Sequence, residues 1–286
     1  MPELPEVELV KRSLASLIGL EIKDVILSDT VINGHKNDRM TIVKEPIESF
    51  LNVRNSTIIN IKRRSKYMYF ELMNNEGVRY MISHLGMSGG FFIVNTLDDI
   101  TEANYKKHWH VQFLLSNGQI LVYSDIRRFG EVRTIRDLND FLPFKNMAPE
   151  YTEETAKNYF VETLKSNRYG NSYIKAIIMD AKIIPGVGNI YASEALYRSG
   201  ILPTRRVKNI SKKRLELLFD KIVEVFELSL NAGGSTISDY RSTTGESGSM
   251  QTKFKVYGQK FCPKGHEIKT KTIGQRNTYY CTTCQR

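Results

Sequence analysis

Apolar and polar residues alternate through the first half of the chain. Short runs rich in β-branched and aromatic residues are separated by turn signals at 75–77 and 116–118, a pattern typical of antiparallel strands. The predicted strands are 21–27, 57–62, 67–72, 78–83, 90–94, 111–115, 120–123 and 131–135. About eight short strands favour a β-sandwich or barrel.

Helical spacing replaces this alternation at both ends of the β-rich region. A first helix beginning at Pro5 and ending near Gly19 would bury one apolar face: Val7, Val10, Leu14 and Leu17. Further helices are predicted at 153–166, with Thr152 as the cap, and at 172–180, 189–199 and 211–231. A polar run at 242–249, with two glycines and no aromatic residue, is interpreted as a mobile loop over a site or a linker.

The charge of the chain indicates a polyanionic partner. Its 286 residues carry a net charge of +10, and residues 251–286 contribute +7 of this, with eight Lys or Arg against one acidic residue. Aromatic residues run through the same segment, which favours a folded module over a disordered arm. No apolar run approaches the ~20 residues of a membrane span, and we expect a cytoplasmic protein without a membrane partner.

The cysteines predict a metal site. All three lie in the last 25 residues, as Cys262-x3-His266 followed by Cys281-x2-Cys284. Two close pairs of soft ligands suit one tetrahedral structural zinc ion. The intervening residues suit a hairpin with strands 268–273 and 278–281, which would place Arg276 in its turn. The alternative is a chance grouping of reduced cysteines in a basic tail.

Two further motifs each allow a functional and a structural interpretation. Removal of Met1 would expose the amine of Pro2, a nucleophile that can form an iminium, beside the carboxylates of Glu3, Glu6 and Glu8. Proline followed by acidic residues is also simply a good helix start. The turn at 185–189 opens into a helix and could hold a phosphate, but such turns also merely connect helices.

Six sequence blocks carry a specific resemblance to one protein family, because they occur in the same order as in that family and cover the chain from end to end. They are MPELPEVE at 1–8, RRSKY at 63–67, HLGMSG at 84–89, DIRRFG at 125–130, GVGNIYASE at 186–194 and QRNTYYCTTCQ at 275–285. Together they resemble formamidopyrimidine-DNA glycosylases. The resemblance implies a bifunctional repair enzyme that excises oxidised purines such as 8-oxoguanine and formamidopyrimidines, and then nicks the strand by β,δ-elimination.

The resemblance also implies roles for individual residues. Pro2 matches the nucleophile and Glu3 the catalytic acid, with Glu6 in support, and Lys66 matches a lysine that contacts the lesion or its phosphates. The matching void-filling residues are Met87, Arg127 and Phe129. The matching phosphate contacts are His108, Lys175, Asn189 and Arg276. The implied zinc ligands are Cys262, His266, Cys281 and Cys284.

The implied fold class is α+β, in three segments. Residues 1–143 would form a catalytic β-sandwich with a leading helix, 144–241 a helix-two-turn-helix domain, and 242–286 a lesion loop and a zinc-finger hairpin. We expect a monomer that binds double-stranded damaged DNA.

The sequence departs from the family pattern at several positions, and two other functions stay open. His266 replaces a cysteine, Trp109 and Ala148 are unusual, and the loop at 242–250 differs. The chain could instead be a silent zinc protein that recognises distorted DNA, against which Pro2 and Glu3 argue. It could also act mainly on oxidised pyrimidines or abasic sites, as endonuclease VIII relatives do, although that branch typically has Gly where this chain has Leu4.

Overall fold

The computed structural model describes residues 2–39, 42–235 and 248–286. By contacts, the chain divides into two compact units. The first is built on Glu6–Lys145, with Pro2 and Ser235, and the second on Asn146–Gly234 and Ser249–Arg286, with Glu3–Pro5. The three segments predicted above stay a prediction, because these two units are defined by contacts and not by independent folding.

The predicted amphipathic helix lies mostly in the first unit, from Glu6 onwards. Helix α1 spans Leu4–Ser13 and is followed by a 3-10 turn at Ala15–Leu17. All four residues of the predicted apolar face are buried: Val7, Val10, Leu14 and Leu17. Their helical spacing therefore directs the start of the chain onto the core.

Eight strands follow within the described part of this unit, each within two residues of its predicted bounds. They are β1 (Glu21–Leu27), β2 (Ser56–Arg64), β3 (Tyr67–Asn74), β4 (Gly77–His84), β5 (Gly89–Val94), β6 (Trp109–Leu115), β7 (Ile120–Asp125) and β8 (Glu131–Ile135). All pairs are antiparallel, in the order β5-β7-β6-β1-β2-β3-β4-β8.

This continuous sheet folds back on itself as a β-sandwich. Phe70 on β3 and Phe91 on β5 lie far apart in the strand order, yet their ring centroids are 5.7 Å apart. One apolar core collects buried residues from every strand. The predicted β-sandwich with a leading helix is confirmed.

Short helices, which the pattern of apolar residues does not predict, connect the strands. They are α2 (Asp29–Lys36), α3 (Ile47–Phe50), α4 (Ala103–Lys107) and, after β8, α5 (Leu142–Lys145). Within α2 only Val31 is buried, so no apolar face with helical spacing marks this segment. Elements of one or two turns bury too little apolar surface to leave a pattern.

The second unit is helical and ends in a hairpin. Its elements are α6 (Ala156–Lys165), α7 (Ile174–Ile177), α8 (Asn189–Arg198), α9 (Lys212–Asn231), β9 (Lys269–Ile273) and β10 (Arg276–Tyr280). The prediction of Thr152 as a helix cap is wrong, because α6 begins only after Thr155. The side chain of Glu153 instead accepts the N–H of Glu150 in a preceding turn. None of the helices in the described ranges has both the length and the apolar character to cross a membrane.

Candidate active site and metal centre

The first turn of α8 holds the carboxylate of Glu3. The side chain of Glu3 is buried, and its two oxygens accept hydrogen bonds from the N–H groups of Gly188 (2.7 Å), Ile190 (2.9 Å) and Tyr191 (3.3 Å). The free N–H groups at a helix start and the helix dipole both favour an anion at this position. The helix therefore fixes the ionised carboxylate of the residue that follows Pro2.

The glycines of the 185–189 turn make room for this arrangement. Gly186 has a φ of +87°, and its carbonyl accepts the N–H of Leu4 at 3.1 Å. A Cβ at Gly188 would lie 2.5 Å from Oε1 of Glu3, which is closer than real atoms approach. The predicted anion site at this helix start is therefore present, but the anion is the chain's own Glu3 and not a phosphate.

Lys175 and Asn189, predicted as phosphate contacts, meet beside this turn. Nζ of Lys175 donates to Oδ1 of Asn189 at 2.5 Å, and Nδ2 of Asn189 donates to the carbonyl of Asn277 at 2.9 Å. Burial lowers the pKa of Lys175 to about 8, Glu3 opposes this shift, and the nearby Arg276 guanidinium adds to it. Lys175 thus stays within the electrostatic reach of both Glu3 and Arg276.

Arg276 is exposed at the start of β10, beside the hairpin turn. Gly274 and Gln275 form this turn with φ values of +54° and +60°, and Ile273 pairs with Arg276 across it. Two positive φ values in a two-residue loop are the geometry that suits a twisted hairpin. Arg276 lies near the tip as predicted, but as the first residue of β10 and not within the turn, because β10 begins two residues earlier than predicted, while β9 ends at Ile273 as predicted.

Tyr257 belongs to the same cluster, and the sequence analysis had assigned it no role. Its ring centroid lies 4.9 Å from that of Tyr279. Burial raises the pKa of Tyr257, while a hydrogen bond with Asn189 lowers it. The buried carboxylate of Glu194 accepts the N–H of Tyr257 at 2.9 Å and thereby fixes its backbone. An aromatic residue within a basic segment was the only sequence signal for Tyr257.

Pro2 and Glu6 are both buried in the first unit. Glu6 lies in the first turn of α1, and its Oε1 accepts both the N–H and the hydroxyl of Ser235 at 2.9 Å. Ser235 directly precedes a gap in the described residues. The supporting position predicted for Glu6 therefore corresponds to an anchor at this point of the chain, and its role stays a prediction.

Lys66 lies in the two-residue turn that joins β2 to β3. Ser65 precedes it with a φ of +57°, and Arg64 pairs with Tyr67 on the far side of the turn. The ring of Tyr67 lies 4.7 Å from that of His84, a residue that the sequence analysis had not singled out. Burial and, to a smaller extent, the charge of Lys66 lower the pKa of His84 to about 4, while Asp125 opposes the shift. His84 is therefore neutral at pH 7. Its Nδ1 accepts the N–H of Gly86 at 3.1 Å, so Nε2 carries the proton and can donate a hydrogen bond.

The three predicted void-filling residues lie on two adjoining loops. Met87 is half-buried between β4 and β5, whereas Arg127 and Phe129 are exposed between β7 and β8, with the guanidinium 5.1 Å from the ring centroid. Gly86, with a φ of +60°, brings the loops together: a Cβ there would lie 2.5 Å from the carbonyl carbon of Phe129. The structure thus brings all three to one edge of the sandwich.

Asp125 fixes both of these loops from beneath. Its buried carboxylate accepts the hydroxyl of Ser88 at 2.7 Å and the N–H groups of Gly130 at 2.7 Å and Arg127 at 3.2 Å. The N–H of Asp125 donates to the carbonyl of His108 at 3.0 Å. The half-buried His108, at the C-terminus of α4, therefore lies next to the end of β7.

The predicted lesion loop at 242–250 lies largely outside the described residues, which resume at residue 248.

The four predicted metal ligands form one cluster, with all ligand atoms within 4.8 Å of one another. The Sγ of Cys262 lies 3.5 Å from Nδ1 of His266 and 3.9 Å from Sγ of Cys284, and that nitrogen and the Cys284 sulfur are 3.3 Å apart. A tetrahedral ion with bonds of ~2.0–2.3 Å sets such separations at about 3.5–3.8 Å. The cluster can therefore hold a metal ion, with His266 in the place of a fourth thiolate.

Backbone groups favour the thiolates of Cys262 and Cys281, whereas burial raises the pKa of the Cys284 thiol. The N–H of Cys284 donates to Sγ of Cys281 at 3.4 Å. Burial raises the pKa of the Cys262 thiol, but hydrogen bonds from the backbone of Lys264 and His266 outweigh it and lower this pKa to about 6. A thiolate is the form of cysteine that binds metal.

Comparison with known proteins matches both units to a single family. The model of the formamidopyrimidine-DNA glycosylase N-terminal domain matches residues 1–132, and that of the H2TH domain of the same enzymes matches residues 147–241. Formamidopyrimidine-DNA glycosylases of Histophilus somni and of a Wolbachia species are 35% and 38% identical over 289 and 290 residues, and each alignment covers 100% of both chains.

Solved structures agree with this assignment. The Lactococcus lactis protein in complex with DNA containing an abasic site is 30% identical to this chain, with a TM-score of 0.83 over 99% of each chain. Its complex with DNA containing an oxidised pyrimidine also has a TM-score of 0.83, over 100% of each chain. The chain belongs to the formamidopyrimidine-DNA glycosylase family.

Proposed function

We propose that this protein excises oxidised purines from double-stranded DNA and then cleaves the strand, with the amine of Pro2 as the nucleophile. Family membership supports the activity. The observation that carries the mechanism is the anchoring of the Glu3 carboxylate by three N–H groups at the start of α8, because it holds an acid–base group next to Pro2. The proposal requires that Met1 is removed, so that Pro2 bears a free secondary amine.

The reaction proceeds in three steps. The neutral amine of Pro2 attacks C1′ of the damaged nucleotide, the bond from C1′ to the base breaks, and the base leaves with a proton. The ring oxygen then leaves C1′ and takes up a proton, which completes this first step as an iminium. The iminium acidifies C2′, so that loss of a proton there expels the 3′ phosphate. Loss of a proton from C4′ then expels the 5′ phosphate. Each elimination releases one proton and one phosphate ester and needs no oxidant, and water then hydrolyses the remaining iminium and frees Pro2.

Glu3 serves as the proton carrier of the first step. The hydrogen bonds of Glu3 stabilise its ionised form. Before it can act as an acid, the carboxylate must therefore accept a proton, which a protonated Pro2 can supply. It can then donate that proton to the ring oxygen of the deoxyribose as the ring opens. The carboxylate also stabilises the positive charge that develops at C1′.

The cluster around Asn189 binds the phosphates of the damaged strand. Lys175 and Arg276 provide positive charge, and Asn189 and Tyr257 provide hydrogen-bond donors, all in the second unit. Cations with fixed donors suit phosphate oxygens. Lys66 and His84 act in the same way from the turn between β2 and β3 and from the end of β4.

Met87, Arg127 and Phe129 occupy the space that the extruded base leaves. Extrusion costs a few kcal/mol, because the base loses its stacking and pairing. An apolar wedge of methionine and phenylalanine replaces the lost stacking, while the arginine pairs with the orphaned base. The exposure of Phe129, at 62% of its surface, fits a side chain that is buried only in complex with DNA.

The Cys262 cluster binds zinc, which fixes the hairpin that carries Arg276. Three sulfurs and one imidazole nitrogen are the ligands that zinc prefers in structural sites. Nδ1 is the atom of His266 that faces the sulfurs, so the proton of the imidazole lies on Nε2. We further propose that the protein acts as a cytoplasmic monomer.

The preferred lesion is the part of the function that needs a direct test. Structures of the Lactococcus lactis protein contain DNA with Fapy-dG, an abasic site or an oxidised pyrimidine, so oxidised pyrimidines are the second candidate class. The experiment compares single-turnover excision from matched duplexes with 8-oxoguanine opposite cytosine, a formamidopyrimidine or an oxidised pyrimidine, with strand cleavage of an abasic-site duplex measured alongside. We expect the purine lesions to be excised fastest, with phosphates on both sides of the gap. Faster excision of the pyrimidine lesion would assign the chain to the second class.

A further inference from the structure

We propose that Glu8 is a positioning residue that holds Lys66 in place through Arg63. The proposal rests on the function proposed above, because it assumes that Lys66 contacts the lesion or its phosphates. Glu8 lies on α1, the helix that follows Pro2, and its side chain is only 13% exposed. The reaction proposed above gives the Glu8 carboxylate no part.

Glu8 contacts three cations, one of which lies far away in the sequence. Its Oε1 pairs with Lys11 at 2.8 Å and Arg12 at 2.9 Å, one turn further along α1. Its Oε2 accepts a hydrogen bond from Nε of Arg63 on β2 at 3.1 Å. The two local cations would already stabilise the helix and satisfy Oε1. The contact with Arg63 instead ties α1 to the β-sandwich.

Arg63 passes this constraint on to the turn that carries Lys66. Its Nη1 donates to the carbonyl of Ser65 at 3.0 Å, while its Nε is occupied by Glu8. The guanidinium is planar and rigid. The Glu8 carboxylate that binds Nε therefore also orients Nη1 for its hydrogen bond to Ser65. The side chain of Arg63 is only 10% exposed, which limits the competition of water for both contacts.

The turn needs such support, because Ser65 has an unfavourable backbone conformation. Its φ of +57° lies in the left-handed region, and it is the first residue of a two-residue hairpin turn, a position that usually favours glycine. A hydrogen bond to the carbonyl of Ser65 stabilises the peptide that links Ser65 to Lys66. Glu8 thus connects the helix of the nucleophile to the lysine, and a loosened turn would displace Lys66.

A double-mutant cycle tests this connection. Single-turnover excision is measured for the wild type, Glu8→Gln, Lys66→Ala and the double variant on an 8-oxoguanine duplex. We expect Glu8→Gln to lower the rate by roughly tenfold, since small displacements of a positioning group cost about this much. In the Lys66→Ala background the same substitution should lower the rate by less than about twofold. Additive effects in the two backgrounds would overturn the proposal.

Two further variants separate positioning from general stability. Ser65→Gly accepts a φ of +57° without support, so it should restore most of the rate in the Glu8→Gln background. Arg63→Lys keeps the charge but cannot reach Glu8 and Ser65 together, so it should lower the rate as much as Glu8→Gln does. It therefore tests the same link if Glu8→Gln folds poorly. Arg12→Gln, which removes only a local cation, is the control and should retain the wild-type rate. Failure of Ser65→Gly to rescue a folded Glu8→Gln, or a wild-type rate for Arg63→Lys, contradicts the proposal.

The same measurements distinguish this inference from the function on which it rests. If Lys66→Ala excises as fast as the wild type, the role of Lys66 is wrong and the proposed function needs revision. If Lys66→Ala is slow but Glu8→Gln is not, only the positioning role of Glu8 is wrong. Thermal unfolding of every variant confirms that the rates refer to folded protein.

Discussion

Glu3 is the residue on which the proposed chemistry most depends. Its carboxylate is held by the backbone of residues more than 180 positions away, with Gly188 and Glu3 separated by 185 residues. The Pro-Glu start of the sequence indicated both a nucleophile and a carboxylate. It could not indicate that backbone N–H groups would hold Glu3, because those groups belong to a turn in the other half of the chain.

Lys175 predicts a specific pH dependence of DNA binding. Its pKa is about 8 rather than the ordinary 10.5, so Lys175 loses its proton as the pH rises through about 8. A phosphate binds the protonated form, and DNA affinity should therefore fall above pH 8. The slope of log K against log salt should become shallower by about 0.9, the value for one phosphate contact.

Fluorescence anisotropy with an abasic-site analogue between pH 7.5 and 9.5 measures this dependence. The variant Lys175→Gln should bind more weakly at pH 7.5 and lose the additional decline, whereas Lys271→Gln, at an exposed lysine of β9, should keep it. An unchanged profile for Lys175→Gln would show that another group titrates. Because the folded-state pKa is below the ordinary value, Lys175 alone makes the fold more stable as the pH rises from about 8 towards 10.5.

Among the elements, the strands followed from the sequence and the short helices did not. A strand that buries one face must alternate apolar and polar residues, so all eight were predicted within two residues. Helix α2 buries only Val31 and therefore carries no such pattern. The sequence indicated the turn at 185–189 but allowed two interpretations, a phosphate site or a simple connection between helices. Only the position of the anion that the turn holds distinguishes them.

The start of α8 gives a prediction at the scale of the element. In Gly188→Ala the new methyl group would meet the Glu3 carboxylate, and the φ of Gly188 of −123° means that backbone strain plays no part. We expect the carboxylate to move, and strand cleavage to slow by about 100-fold, because acid–base catalysis typically contributes 10²–10⁴. Gel analysis of single-turnover cleavage measures this rate.

Gly90→Ala is the matched control for this substitution. Its Cβ would lie 3.3 Å from the Phe92 ring, a side chain that can shift, and we expect cleavage close to the wild-type rate. Equal rates for Gly188→Ala and Gly90→Ala would mean that the position of Glu3 is not essential.

The metal-ligand cluster at Cys262 gives a second prediction at this scale. His266→Ala leaves three thiolate ligands, so we expect it to lose zinc to a chelator that the wild type resists and to bind damaged DNA at least tenfold more weakly, since loss of a structural ligand unfolds such modules. His266→Cys supplies a fourth thiolate and should retain the metal. Elemental analysis after dialysis against the chelator tests both. Full zinc retention by His266→Ala would exclude His266 as a ligand.

At the scale of the whole molecule, charge and chain order carried most of the functional prediction. Residues 251–286 hold +7 of the net charge of +10, and the metal cluster and Arg276 lie in the same segment. Spacing alone was enough to predict the cluster, because its ligands form two local pairs. The contacts of Lys175, Asn189 and Arg276 could not be predicted from spacing, since they join three separate parts of the sequence.

Borohydride trapping tests the central claim most directly, which is that Pro2 attacks the damaged nucleotide. The wild type is incubated with an 8-oxoguanine duplex and reductant, beside Pro2→Gly and Glu3→Gln, and the adduct is digested and mapped by mass spectrometry. We predict a covalent adduct on Pro2, with trapping slowed by at least about tenfold in both variants. An adduct on a lysine, or no adduct with a protein that binds the duplex tightly and has a free Pro2, would contradict the account.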